Sequence, residues 1–127
     1  MEKVYYNLEI NSANSQEIKN QIGTGECLNN NIYQYKIVDT GPNLDIEEEY
    51  VVEHYLNILD KKINLLQAID KDLSITLWIT YEYISQCNFE FPPILLKRMS
   101  DLNIHLCISA YQYNDNQDDW TIIEMDN

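Results

Sequence analysis

The chain has 127 residues, 45% of them hydrophobic, with 21 acidic side chains against 8 basic ones and a formal net charge of −13. That length and apolar content suit one domain with a single core, whereas the charge repels nucleic acid and anionic membranes and favours a basic partner. No stretch approaches the roughly 18 uncharged apolar residues of a membrane-spanning helix, and the opening MEKVYYNLEI has no signal-peptide character. Three cysteines, Cys27, Cys87 and Cys107, are odd in number and too far apart for a disulfide framework or a C-x-x-C motif, so reduced thiols in a cytoplasm are expected.

Val4 to Ile10 alternates as a half-buried strand does, with Val4, Tyr6, Leu8 and Ile10 on one face. Asn14 followed by Glu17 has the spacing of a capping box, Ile18 and Ile22 share a helical face, and Gly23 is suited to ending that helix. Gly23-Thr24-Gly25 and Asn29-Asn30-Asn31 read as turn or loop chemistry. Ile32 to Val38 is the next predicted strand, with Tyr33, Tyr35 and Ile37 opposite Gln34 and Lys36, and Gly41-Pro42-Asn43 breaks it.

From Asp45 to about Ile69, Val52, Leu56, Leu59, Ile63 and Leu66 recur at three- and four-residue spacing, which predicts a long amphipathic helix laid on a sheet. Leu73 to about Tyr83 alternates again, with Leu77 and Ile79 on one face and Trp78 and Thr80 on the other. Pro92-Pro93 is suited to the first turn of a helix reaching about Asn103. A last strand, Ile104 to Tyr111, places Ile104, Leu106, Ile108 and Ala110 inside and His105, Cys107, Ser109 and Tyr111 outside. The tail beyond Tyr113 is acidic but includes Trp120, Ile122 and Ile123, which suit an added edge strand.

Strands buried on both faces read as unbroken apolar runs; these alternate. The expectation is therefore an α+β two-layer sandwich of ferredoxin-like character, a four- or five-stranded mixed or antiparallel sheet with helices on one face. The expected order is strand-helix-strand-helix-strand-helix-strand, in one domain over residues 1–127. The other face, with Tyr5, Trp78, Thr80, His105 and Tyr111, is expected to be open or covered by a partner.

The stretch Tyr6-Asn-Leu-Glu-Ile10, the short helix ending in Ile22-Gly23, the Leu-rich helix, and Pro93-Ile-Leu-Leu-Lys-Arg-Met-Ser-Asp-Leu-Asn-Ile-His-Leu-Cys-Ile-Ser-Ala-Tyr111 carry a family resemblance. Over most of residues 4 to 113 the chain resembles the bacterial family known as domain of unknown function 4279. The resemblance implies a small α+β domain and brings no activity or functional residue with it.

The densest acidic run is Asp45, Glu47, Glu48, Glu49 and Glu53. Carboxylates in the first turns of a helix stabilise its dipole, and the same carboxylates are candidates for a partner-binding patch. Asp115, Asp118, Asp119, Glu124 and Asp126 form a second acidic group in the tail, without compensating bases. Trp78 and Tyr111 are the candidate aromatic contacts, since Tyr and Trp offer rigid apolar area with a polar tip. His54 and His105 stand alone, without metal-ligand spacing, and Cys87 or Cys107 with His105 makes a poor case for nucleophilic catalysis. No phosphate-binding glycine loop is present, and no cofactor or metal is expected.

An acidic cytoplasmic immunity protein is the leading expectation: a non-catalytic domain that occludes the active site of a basic toxin, for which a nuclease with a positive substrate cleft is the natural candidate. A nucleic-acid mimic that blocks a defence nuclease is the second reading, and a self-associating domain, dimeric through its open face, is the third.

Overall fold

The computed structural model describes residues 2–41, 48–84 and 89–112. The elements are β1 (Glu2–Asn11), α1 (Ser15–Ile22), β2 (Glu26–Asn29), β3 (Ile32–Gly41), α2 (Glu48–Ile69), β4 (Ser74–Tyr83), α3 (Pro93–Asp101) and β5 (Ile104–Gln112). They form an α+β structure with one five-stranded mixed sheet in the order β2-β3-β1-β4-β5. β1 is central and antiparallel to both β3 and β4, β2 is antiparallel to β3, and β5 runs parallel to β4.

The alternation predicted for β1, β3 and β4 is what builds the core. Val4, Tyr6, Leu8 and Ile10 of β1, Tyr33 of β3, and Ile75, Leu77, Ile79 and Tyr81 of β4 are buried on one face. All three helices add to the same cluster, through Ile18 of α1, Val51, Val52, Tyr55, Leu56, Leu59 and Leu66 of α2, and Leu95 and Met99 of α3. Burying a side chain of this size is worth about 1.5–3 kcal/mol, so this single layer of contacts supplies the main drive to fold.

Four details differ from expectation. The expected order omits a strand: Glu26–Asn29 is β2, joined to β3 through Asn30 and Asn31, with a register shift between Cys27 and Asn29. A four-residue strand whose Leu28 faces solvent has no alternation to reveal it. The capping box does not form; Asn14 precedes α1 without a side-chain cap and instead donates its amide to the Ile69 carbonyl at the end of α2, 3.2 Å away. At the other end of α1, Gly23 caps as expected, with φ 87° and its N–H on Lys19 O at 2.8 Å. The third helix stops at Asp101, where Asn103 takes a left-handed conformation. Ile108 and Ala110, expected inside, are exposed: α3 spans only nine residues, too short to cover the length of β5.

Among the described residues no helix is long and apolar enough to cross a membrane. Cys27 and Cys107 are free thiols. The predicted edge strand at Trp120 to Met125 lies outside the described residues, as do Asp45, Glu47, Cys87, Asp118 and Asp119.

Candidate functional site: the open face of the sheet

The odd residues of β1 and the even residues of β3 and β4 point away from the helices. Strand register lines them up in rows across the sheet. One row holds Lys36, Asn7, Trp78 and Cys107, the next Val38, Tyr5, Thr80 and Ser109. Between them lies a depression of about 310 Å³ lined by Tyr5, Asn7, Glu9, Lys36, Val38, Trp78 and Thr80. Trp78 is 38% exposed and Val38 50% exposed, while the flanking Leu77 and Ile79 are fully buried against the helices. Strand parity alone put Trp78 on this face, and the structure agrees.

The same face carries three carboxylates, Glu9 at the depression and Glu26 and Glu82 further out, each held by a neighbouring donor. Gln34 Nε2 donates to Glu26 Oε1 at 2.8 Å, the Asn11 amide to Glu9 Oε1 at 3.3 Å, and the Tyr111 hydroxyl to Glu82 Oε1 at 2.6 Å. Gln34 is itself buried, and the Asn7 amide reaches its Oε1 at 3.5 Å. Burial together with the bond to Glu82 pushes the Tyr111 phenol well above its ordinary range, so it stays a neutral donor and holds Glu82 in place. Side chains fixed in this way lose less conformational entropy when a partner arrives than free ones do.

The candidate residues named from sequence do not all meet. Trp78 and Tyr111 share the open face. Glu48, Glu49 and Glu53 lie on α2, in the layer across the sheet from them. Further along α2, Asp60 and Asn57 are taken up by Arg98 of α3, whose Nη2 lies 2.6 Å from Asp60 Oδ2 and 2.9 Å from Asn57 Oδ1. The acidic ridge of α2 is therefore interrupted by a base beyond Glu53. Glu9, Glu26 and Glu82 escaped sequence reading because they stand far apart in the chain and only the strand registers gather them.

His54 is exposed on α2, its Nε2 3.1 Å from the Tyr35 hydroxyl, and His105 is exposed on the open face. Among the described residues no group of three or more His, Cys, Asp or Glu side chains could hold a metal ion. No protein-family model matches the chain, and neither a curated protein nor a solved structure does.

Proposed function

We propose that this chain is a non-catalytic binding protein whose open sheet face docks on a basic protein, and that the partner is a toxin domain, with a nuclease as the natural candidate, which the docked sheet inactivates by covering its active site. One observation carries the reading: an apolar centre of Tyr5, Val38 and Trp78, bordered by Glu9 and Lys36, on a sheet face that also carries the oriented carboxylates Glu26 and Glu82, in a body of net charge −13. An interface needs a desolvated aromatic anchor with a polar rim, and the rim here sets Glu9, Glu26 and Glu82 beside Lys36 and Lys3. The overall charge steers a cationic partner inward, while Trp78 supplies the contact that holds it. Such a role belongs in a cytoplasm, where the three cysteines stay reduced.

We also read β1 to β4 with α1 and α2 as a ferredoxin-like unit to which α3 and β5 are appended. Its support is the interleaved strand order, in which β1 lies between β3 and β4 and both crossing helices share one face. That layout is what leaves the opposite face available.

The nucleic-acid mimic draws less support, because a mimic needs a long phosphate-like series of carboxylates and Arg98 interrupts the one on α2.

The test is co-expression with the C-terminal domain encoded by the gene immediately upstream, scored by growth and by co-purification. Rescue and a stable complex are expected, with both lost in Trp78→Ala and kept in the Glu48→Lys, Glu49→Lys double variant. A Trp78→Ala chain that binds and rescues as well as the parent would overturn the docking face.

A further inference from the structure

The depression on the open face is lined by one acceptor that the fold leaves unanswered. Asn7 stands mid-way along β1, and its Oδ1 is closed to solvent and accepts no hydrogen bond among the described residues. Its Nδ2 reaches toward Gln34 Oε1 at 3.5 Å, the outer limit of such a bond. Buried acceptors are nearly always paired, so this one calls for a donor. Glu9, on the same face of β1 and about 7 Å away between Cα atoms, lines the depression too. Asn11 donates to its Oε1 at 3.3 Å, which orients the carboxylate and leaves Oε2 without a donor among the described residues. Trp78 of β4 pairs with Asn7 in register and is 38% exposed, and Tyr5 and Val38 continue the apolar wall.

We propose that the depression is an arginine slot: the basic partner inserts one arginine, whose guanidinium lies on the Trp78 indole and donates to Glu9 Oε2 and Asn7 Oδ1. The inference rests on the docking face proposed above and names the side chain that face receives. The lining needs donors and offers a flat aromatic surface. A guanidinium is planar, carries five N–H donors in a fixed fork and no acceptor, and stacks on aromatic rings. An ammonium is a compact, strongly hydrated point charge without that fork, and an anion is turned away by the field of a body of charge −13. Lys36 also lines the depression, and its charge opposes an incoming cation. The two charges are held differently, however. Glu9 is half-buried and tied by Asn11, whereas Lys36 is exposed on a flexible stem and bonded to nothing among the described residues. As the arginine enters, Lys36 withdraws toward solvent and clears the way to Asn7, its partner in register.

An NMR titration of the full chain with an end-blocked glycine-arginine-glycine tripeptide tests the slot, with lysine and citrulline versions as controls at constant ionic strength. Saturable shifts are expected at the Trp78 indole N–H and the Asn7 side-chain amide, with a dissociation constant of about 1–10 mM. They should be absent with citrulline and several times weaker with lysine. Glu9→Gln and Asn7→Leu are each expected to weaken binding about tenfold, the loss of a hydrogen bond to a charged group. Lys36→Met should tighten it severalfold, while Lys3→Met, which removes a base from the same face outside the depression, should leave it unchanged. The slot is overturned by an equal response to lysine or citrulline, by no shift at either reporter at about 50 mM peptide, or by a Lys36→Met chain that binds no more tightly. Each of these results leaves the docking face standing so long as rescue in co-expression still depends on Trp78; rescue indifferent to Trp78→Ala removes the docking face and the slot together.

Discussion

Tyr55 of α2 donates its phenolic hydroxyl to the main-chain carbonyl of Tyr35 on β3 at 2.8 Å, and the two rings meet edge-on at 5.3 Å. A polar tip inside an apolar core thus fixes where the long helix sits along the sheet. Tyr55→Phe keeps the ring and removes the donor, so it is expected to cost about 1 kcal/mol. A urea titration showing no shift in midpoint would mean that packing alone positions α2.

Burial raises the pKa of Tyr6, Tyr33 and Tyr55 well above the ordinary phenol value, with charges nearby adding to the effect in each case. The folded state therefore keeps three protons that the unfolded chain gives up at about pH 10. Stability from these groups is complete below that pH and falls as pH rises further, by about 1.4 kcal/mol per unit for each tyrosine. Melting temperature followed from pH 9 upward should drop steeply. Replacing Tyr55 by Phe should make the slope shallower by one group.

Gly23 and Gly25 have nearly the same backbone angle, φ 87° and 89°, and very different surroundings. A Cβ on Gly23 meets nothing within 4 Å; on Gly25 it falls 2.6 Å from the Gln34 carbonyl oxygen and against the Tyr33 ring. Gly23→Ala should cost about 1–2 kcal/mol, the penalty of the left-handed conformation alone. Gly25→Ala adds a clash with β3 backbone and should cost clearly more, with loss of the Tyr33 hydroxyl contact to the Thr24 carbonyl. Equal melting temperatures for the two variants would contradict this difference.

Ser12 donates its hydroxyl to Asp70 Oδ2 at 2.6 Å, and the Asp72 N–H donates to Asp70 Oδ1 at 2.9 Å. The Ser12 bond first, then the backbone donors, hold the Asp70 carboxyl below its ordinary range. The contribution is present above the unfolded carboxylate pKa and is lost as pH falls through the lower folded value. Asp70→Asn should therefore lower stability at neutral pH and flatten the acid limb of the stability curve.

Alternation made most of the sheet legible. In β4 every buried residue from Ile75 to Tyr81 is odd-numbered, and the half-buried face of an open sheet imposes just that period. β2 was hidden because four residues with one outward Leu28 have no period, and only the antiparallel ladder to β3 makes them a strand. The face of Trp78 followed from parity. The grouping of carboxylates on that face did not, since Glu9, Glu26 and Glu82 come to share it only through the registers of four strands. The acidic run of α2 was conspicuous in sequence because its members are contiguous, yet contiguity says nothing of which side of the sheet they occupy.

β1 is the first strand to be synthesised and the one that depends most on segments made after it. Asn11 meets Ile32 of β3 on one side, but its other side waits for Ser74, so β4 must be made before the central strand is complete. During synthesis an apolar strand with Leu8 and Ile10 on its inner face stands with one edge unpaired until β4 has emerged. Substitutions that slow the docking of β4, such as Leu77→Ala, should therefore reduce the yield of chain in growing cells by more than their effect on the melting point of the purified protein implies.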